Sequence, residues 1–370
     1  MPDKDWFNDL LSSGKYSMMQ SFLEPQAELT FSKLAKNTQA LDNMVYKGKI
    51  HTDALPGFYI YEQEDQSGMS QFGIWTLTCV EDYRNGMILA HEQTLSEHAE
   101  RLRLYRENVG LEANPVLLTY PRNQTLSSLI EFATVLEPDH TFSIKGTKHS
   151  IWAITDKGTQ EQMTAAFSEI TKVCIADGHH RLEAAASGSC RDKWISTLYV
   201  SCGQLSSKAF HRMVLPSRPV RKESFFLFLS TYFKIFESGE NLPVKPDRAG
   251  QLGLYFQKRW YKLEFLPGVK DQPDVSLLQE NILATYFEIE DPRTDSRLKC
   301  WPDTAWMGMI NVATGHPEGI LFTLFSISAQ RLLDLAISGQ QLPPKSTYIQ
   351  PRVPYGLLMH RTETKARYAY

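Results

Sequence analysis

Val173-Cys174-Ile175-Ala176-Asp177-Gly178-His179-His180-Arg181-Leu182-Glu183-Ala184-Ala185 carries two structural instructions with a chemical one between them. Val173 to Ala176 is a short apolar run of the length and β-branched content of a buried strand. Leu182-Glu183-Ala184-Ala185-Ala186 are good helix formers, and Ser187-Gly188 ends them. The five residues between are an acid, a glycine, two histidines and an arginine, which neither element needs. A strand, a tight turn at Gly178 and a helix N-terminus make a geometry that collects anions. The first helical N–H groups have no partners there, and the helix dipole adds positive potential. Arg181 in the first turn opposes that dipole end, a small cost that an intervening phosphate or carboxylate reverses, and its planar fork suits phosphate. The plainer reading is a solvated βα connection. The density of reactive side chains in Asp177-Gly178-His179-His180-Arg181 favours a site.

Upstream, Gly57 to Gln63 and Phe72 to Val80 read as two paired strands about a turn through Gly68. Ser96 to Val109 predicts a helix with Leu102, Tyr105 and Val109 on one face. Pro115 to Tyr120 predicts a buried strand, Leu126 to Leu136 a helix, Ser150 to Thr155 a strand and Thr159 to Ile170 a helix. Helices alternating with buried strands predict an α/β fold. Downstream, Trp194 to Cys202 reads as a strand, Ala209 to Pro216 as a strand edge, and Ser224 to Phe236 as one apolar helix. Leu252 to Leu266 reads as a hairpin turning at Lys258-Arg259, Ser276 to Phe287 as a helix, Ile320 to Phe325 as a strand, and Ser328 to Ser338 as a helix ended by Gly339. At 370 residues two lobes are expected, divided near Pro216-Ser217-Arg218-Pro219: an α/β lobe over 1–215 carrying the turn, and a smaller α+β lobe over 216–370 whose C-terminal loop returns to the site.

An apolar content of 42% with 22% charged residues is ordinary for a globular chain, and a net charge of −3 gives no footprint for nucleic acid or an anionic membrane. Cys79, Cys174, Cys190, Cys202 and Cys300 lack C-x-x-C spacing and suit a reducing cytosol. The polar start Met1-Pro2-Asp3-Lys4-Asp5 is not a signal peptide, and no apolar run reaches membrane-spanning length, so a cytoplasmic location is expected.

Three further clusters carry chemistry. In His91-Glu92-Gln93-Thr94, Glu92 suits a general base or magnesium ligand and Thr94 an N-cap, while His91 and Glu92 read equally as caps of the next helix. His98 follows seven residues on, too far to share one ion easily with His91. His211-Arg212 gains interest if it lies beside the turn. Pro343-Pro344-Lys345-Ser346-Thr347-Tyr348 offers an amine and two hydroxyls on a stiff frame, or else simply terminates a helix. A transition-metal site on Asp177, His179, His180 and His211 is not expected, because adjacent histidines rarely chelate one ion. Neither Gly-x-Gly-x-x-Gly nor the P-loop pattern occurs, and no Ser or Cys sits in a nucleophile elbow.

Taken together these stretches resemble the family known as domain of unknown function 1015, whose hallmark is Ile-Ala-Asp-Gly-His-His-Arg, here Ile175 to Arg181. The resemblance extends to Val80-Glu81-Asp82-Tyr83 with His91 to Thr94 and Glu100-Arg101, to Asn114-Pro115-Val116, and to His211-Arg212. It continues through Asp291 to Asp295 and Pro343 to Thr347. Leu182 and Arg352 stand where tyrosine and lysine are usual, and the customary Pro-Tyr-Asp-Val stretch near the start has no counterpart. The Asp177–Arg181 turn is also similar to the phosphate-binding turn of the ParB/sulfiredoxin superfamily, with its nucleotide-using partition proteins, sulfiredoxin and free-serine kinases. That likeness implies a ParB/sulfiredoxin-like turn in a large mixed-sheet core with a second, smaller lobe. It further implies a nucleotide such as ATP, ADP or CTP, with magnesium, and a small phosphorylated ligand. The activity implied is phosphoryl transfer or phosphate hydrolysis on a hydroxylated metabolite, free-serine-kinase-like or phosphoserine-directed. On this reading Asp177, His179, His180 and Glu92 do the chemistry, and Gly178, Arg181, His91, Thr94, His211, Arg212, Lys345, Ser346 and Thr347 hold the phosphate or nucleotide. A nucleotide-binding regulatory protein without turnover, or an inactive family member, are the alternatives.

Overall fold

The structure, a computed structural model, describes residue 1 and residues 31–92, 96–188, 193–239, 242–268, 272–350 and 352–362. Within these the chain divides into two compact units. One comprises the described residues up to Leu205 with Leu333–Gly339 and 352–362; the other comprises Ser206–Leu332 with Gln340–Gln350.

In chain order the first unit begins with helix α1 (Phe31–Tyr46), strands β1 (Phe58–Glu64) and β2 (Ser70–Cys79), the short helix α2 (Glu81–Arg84), strand β3 (Ile88–Leu89) and helix α3 (Ser96–Val109). Next come β4 (Leu111–Glu112), β5 (Val116–Tyr120), α4 (Gln124–Ala133), β6 (His140–Ile144), β7 (Thr147–Ile154) and α5 (Lys157–Ser168). It continues with β8 (Val173–Asp177), α6 (His179–Ser187) and β9 (Trp194–Ser201). The eight-stranded sheet runs β3-β8-β5-β9-β2-β1-β7-β6, with β3·β8 and β5·β9 parallel and the other pairs antiparallel. It is a mixed sheet, as an α/β sequence with a strong hairpin requires.

Local chemistry fixes its pieces. Asp65 Oδ1 accepts from the Ser67 and Met69 amides at 2.8 and 3.1 Å, closing the β1–β2 turn. Asn123 and Asp156 cap α4 and α5 by accepting from the Leu126 and Thr159 amides. Ile60, Ile74, Leu118, Ile175, Leu182 and Tyr199 meet in one buried core, so β8 and α6, which flank the turn, are both anchored in it. Burying side chains of this size stabilises by about 1.5–3 kcal/mol each, and that packing holds the turn's two arms.

The second unit contains β10 (Ser206–Val214), α7 (Lys222–Leu229), β11 (Phe233–Gly239), β12 (Gln251–Phe256), β13 (Arg259–Phe265), α8 (Asp274–Leu278), β14 (Leu298–Pro302), α9 (Trp306–Gly315) and β15 (Ile320–Leu324). Helix α10 (Ala329–Ile337) follows, its residues from Leu333 on counting with the first unit, then β16 (Thr347–Gln350) of the second, and β17 (His360–Arg361) of the first unit pairs with β4. The second sheet runs β11-β13-β12-β15-β10-β14, with β16 also on β10.

Four expectations change here. Ser224–Phe236 is not one helix: α7 stops at Leu229 and Phe233 enters β11 against β13. A continuous apolar run reads alike for a buried helix and a strand, and sheet pairing decides. The hairpin turns at Gln257-Lys258, both at positive φ (48° and 63°), and Arg259 already belongs to β13. The Ser276–Phe287 helix opens after Leu278 into a π-helical turn over Gln279–Ala284. β10 is an interior strand rather than an edge, flanked by β14, β15 and β16. No helix among the described residues is long and apolar enough to cross a membrane. Cys79, Cys174, Cys202 and Cys300 are free thiols.

Candidate active site

Gly178 takes φ 96° and ψ 25° at the N-terminus of α6, a left-handed conformation that glycine adopts without penalty. It permits more than the turn. A Cβ at this position would lie 2.7 Å from Arg181 Nη2 and 3.0 Å from Nε, so the guanidinium folds back onto the glycine at the start of its own helix. There Nη2 donates to Asp177 Oδ2 at 2.9 Å. The pair is partly exposed, with side-chain accessibilities of 23% for Arg181 and 45% for Asp177. Arg181 Nε is buried and has no hydrogen-bond partner among the described residues. The helix N-terminus and a guanidinium thus concentrate positive potential at one point, opposed by a single carboxylate.

Adjacent residues on a helix point about 100° apart, so His179 and His180 face different neighbours. His179 meets His91 edge-on, with ring centroids 4.5 Å apart. His180 meets His98 of α3 in the same way at 4.7 Å, where α3 packs along α6. His91 is wholly buried, with Cys174 Sγ 3.5 Å from its Nδ1. Burial pushes the Cys174 thiol up to about 12, so it is no thiolate at neutral pH. His179 Nε2, like Arg181 Nε, is buried and without a partner among the described residues. Arg101, one turn after His98, donates to His98 Nδ1. Behind the site Tyr83 Oη donates to Glu183 Oε2 at 3.0 Å, tying α2 to α6.

Electrostatics keep these imidazoles neutral. Burial holds His91 down to about 4, with the Ile175 backbone hydrogen bond opposing it only in part. Burial also lowers His180 to about 4, with further contributions from His98, Arg181 and Arg101 against Asp177. His179 lies well below the usual value, from burial first and then from His91, His180 and Arg181. At neutral pH the three offer hydrogen bonds and polarisable rings rather than charge.

That neutrality has a measurable consequence. His91, His149 and His211 are at most 2% exposed, and burial depresses all three from 6.5 to about 4. The unfolded chain binds more protons below 6.5, so the stability these residues contribute is complete above that pH and is lost as pH falls toward 4. Each removes up to about 1.4 kcal/mol per pH unit in that window. Urea midpoints should therefore drop steeply from pH 7 to pH 5; a flat profile would mean the folded chain already carries these histidines charged.

Glu92 follows His91 directly and is partly exposed. Thr94 lies outside the described residues. His211, Arg212, Lys345, Ser346 and Thr347 belong to the second unit, where they form a cluster of their own. Arg212, 1% exposed, donates to the carbonyls of Lys345 at 3.0 Å and Pro344 at 2.9 Å. Lys345 sits at φ 56°, Ser346 Oγ donates to the Pro343 carbonyl, and Thr347 opens β16 opposite Ala209. His211 Nδ1 accepts from the Leu324 amide at 3.1 Å, which leaves Nε2 to donate to Asp303 at 3.2 Å. The turn residues and His91 therefore come together in one unit, and Arg212 comes together with the proline loop in the other. His98 and Arg101 come together beside the turn but are not among the expected site residues, although Glu100-Arg101 is one of the stretches that carry the family resemblance. Their i, i+3 spacing on a predicted helix was the signal available.

Among the described residues no group of three or more His, Cys, Asp or Glu could hold a metal ion. A magnesium ion carried in by phosphate oxygens needs only one carboxylate from the protein, and Asp177 Oδ1 has no hydrogen-bond partner among the described residues.

The family described as "Protein of unknown function (DUF1015)" matches residues 15–284. No curated protein matches the sequence. Among solved structures the chain is similar to SbnI with a C-terminal truncation from Staphylococcus aureus, at 11% identity and a TM-score of 0.42, covering 77% of this chain and 87% of that one. It is also similar to a free serine kinase in complex with AMP, at 10% identity and a TM-score of 0.42, covering 85% and 97%. A conserved hypothetical protein from Pyrococcus furiosus aligns at 11% identity and a TM-score of 0.38, covering 76% and 93%.

Proposed function

The chain belongs to the DUF1015 family of proteins of unknown function, and from that premise we propose that its Asp177–Arg181 turn binds a phosphate group that the protein transfers or removes. The group moves from a nucleotide to a small hydroxylated metabolite, or leaves a phosphoester by hydrolysis. One observation carries this reading. Arg181 is folded back onto Gly178 at the N-terminus of α6, and its buried Nε, like the buried His179 Nε2, has no hydrogen-bond partner among the described residues. A buried polar group left without a partner costs about 1–3 kcal/mol, and a phosphate oxygen supplies the acceptor that the Arg181 Nε–H lacks.

In this reading Arg181 and the helix amides stabilise charge on the transferring oxygens, where such catalysis gains most of its rate. His179 and His180, held neutral, add hydrogen bonds. Asp177 or Glu92 orients the attacking hydroxyl or water and would hold magnesium, which would neutralise charge on the phosphate oxygens. The ParB/sulfiredoxin-like make-up of the turn supports ATP, ADP or CTP as carrier and free serine or phosphoserine as the metabolite. A nucleotide-binding regulatory role without turnover is favoured by one contact: Asp177, the acid nearest the turn, is already engaged by Arg181.

Arg181→Ala tests the site. Loss of a charge-assisted, bidentate contact worth about 1.5–3 kcal/mol lowers nucleotide affinity roughly ten- to hundred-fold. Arg181→Lys recovers only part of it, since an ammonium keeps the charge without the fork. The melting temperature should hardly move, because the Asp177–Arg181 pair is solvent-screened. An alanine variant that melts earlier yet binds ADP as tightly as the parent would make Arg181 a purely structural residue. Phosphate release from ATP or phosphoserine by the parent protein separates enzyme from binder.

A further inference from the structure

We propose that the site takes a ligand with two or more joined phosphoryl groups, the second held by Arg101 and His98 beside the one held by Arg181. The proposal rests on the phosphate reading of the turn and deepens it by assigning residues to a second phosphoryl group.

The first support is an imbalance of charge along α3. Arg103 pairs with Glu100 and Glu107, and Arg106 pairs with Glu112 at 2.6 Å. Arg101, on the same helix, meets no carboxylate among the described residues; its one partner is the imidazole of His98. Its Nε is buried with no hydrogen-bond partner among the described residues. A guanidinium partly withdrawn from water without a counter-charge is costly, and an anionic ligand removes that cost.

The second support is position. Arg101 contacts His98, the His98 ring lies edge-on to His180 at 4.7 Å, and His180 adjoins Arg181. Arg101, His98 and His180 thus form a line of contacts, both Arg101 and Arg181 act electrostatically on His180, and the Nε atoms of both arginines have no hydrogen-bond partner among the described residues. A chain of phosphoryl groups follows such a line, each meeting its own arginine. Burial first, then His98, Arg181 and Arg101, keep His180 from adding a proton to a corner that is already positive. The arginine fork suits phosphate oxygens at both ends.

Isothermal titration with inorganic orthophosphate, pyrophosphate and tripolyphosphate provides the test, on the full chain and on Arg101→Gln, Arg101→Lys and Arg181→Ala. The parent should bind pyrophosphate and tripolyphosphate at least about tenfold more tightly than orthophosphate. Arg101→Gln should remove that preference, weakening pyrophosphate roughly ten- to hundred-fold while leaving orthophosphate unchanged. Arg101→Lys should restore part of the preference, and Arg181→Ala should weaken all three ligands. Melting curves identify any variant that has lost its fold, and the lysine variant then carries the comparison. Equal affinity of the parent for orthophosphate and pyrophosphate overturns the second position while leaving the turn as a phosphate site. An Arg101→Gln variant that weakens both ligands equally, or neither, does the same. A parent that binds none of the three overturns the phosphate reading itself.

Discussion

Arg212→Ala is expected to destabilise the second unit by about 3 kcal/mol, a drop of roughly a hundredfold in its folded-to-unfolded ratio. Arg212 is 1% exposed and donates to the Lys345 and Pro344 carbonyls. Hydrogen bonds from a charged group contribute about 1.5–3 kcal/mol each, and truncation also leaves two carbonyls unpaired. The proline loop before β16 would lose the clamp that holds Lys345 at φ 56°. Arg212→Lys should recover less than half, because a point charge cannot span two carbonyls as the planar fork does. Urea denaturation of the three proteins measures it. If the alanine variant instead keeps its midpoint and loses phosphate affinity, Arg212 is a ligand contact and the clamp is incidental.

The second large effect is expected from Gly178→Ala. A left-handed backbone costs a non-glycine residue roughly 1–2 kcal/mol. The larger consequence is steric, because the new methyl would lie 2.7 Å from Arg181 Nη2 and push the guanidinium off the turn. Phosphate or nucleotide affinity should fall about as far as in Arg181→Ala, roughly ten- to hundred-fold, although no ligand-facing side chain has been removed. The double variant should then be little worse than either single one, since both delete the same contact. Additive losses would show that Gly178 and Arg181 act separately.

The turn was legible because its instructions are local. A β-branched run, a glycine and an alanine-rich helix specify β8 and α6 without reference to distant residues. Its partners were harder to read. His91 stood out as a reactive residue, but its contact with His179 depends on β3 lying parallel to β8. His98 reads in sequence only as a histidine too far from His91 to share an ion, and only the packing of α3 on α6 sets it against His180. Arg212 shows in the sequence as a charge; that its guanidinium is committed to two backbone carbonyls is a tertiary fact. The missed strands fail for the same reason. His140–Ile144 is partly exposed along its length and carries no clean alternation, and Phe233–Gly239 continues an apolar helix without a break in pattern.

The central claim, that a phosphate sits on the Asp177–Arg181 turn, is tested most directly by nuclear magnetic resonance of the full chain labelled with nitrogen-15 at histidine, titrated with ADP. The imidazole signals of His179 and His180 should shift saturably, because a phosphate beside them supplies an acceptor and raises their affinity for protons. His149, on β7 and five strands away from β8 in the sheet order, should not move. In Arg181→Ala the shifts should vanish or need far higher ADP. Saturable binding that leaves both imidazoles unmoved in the parent protein would contradict the account.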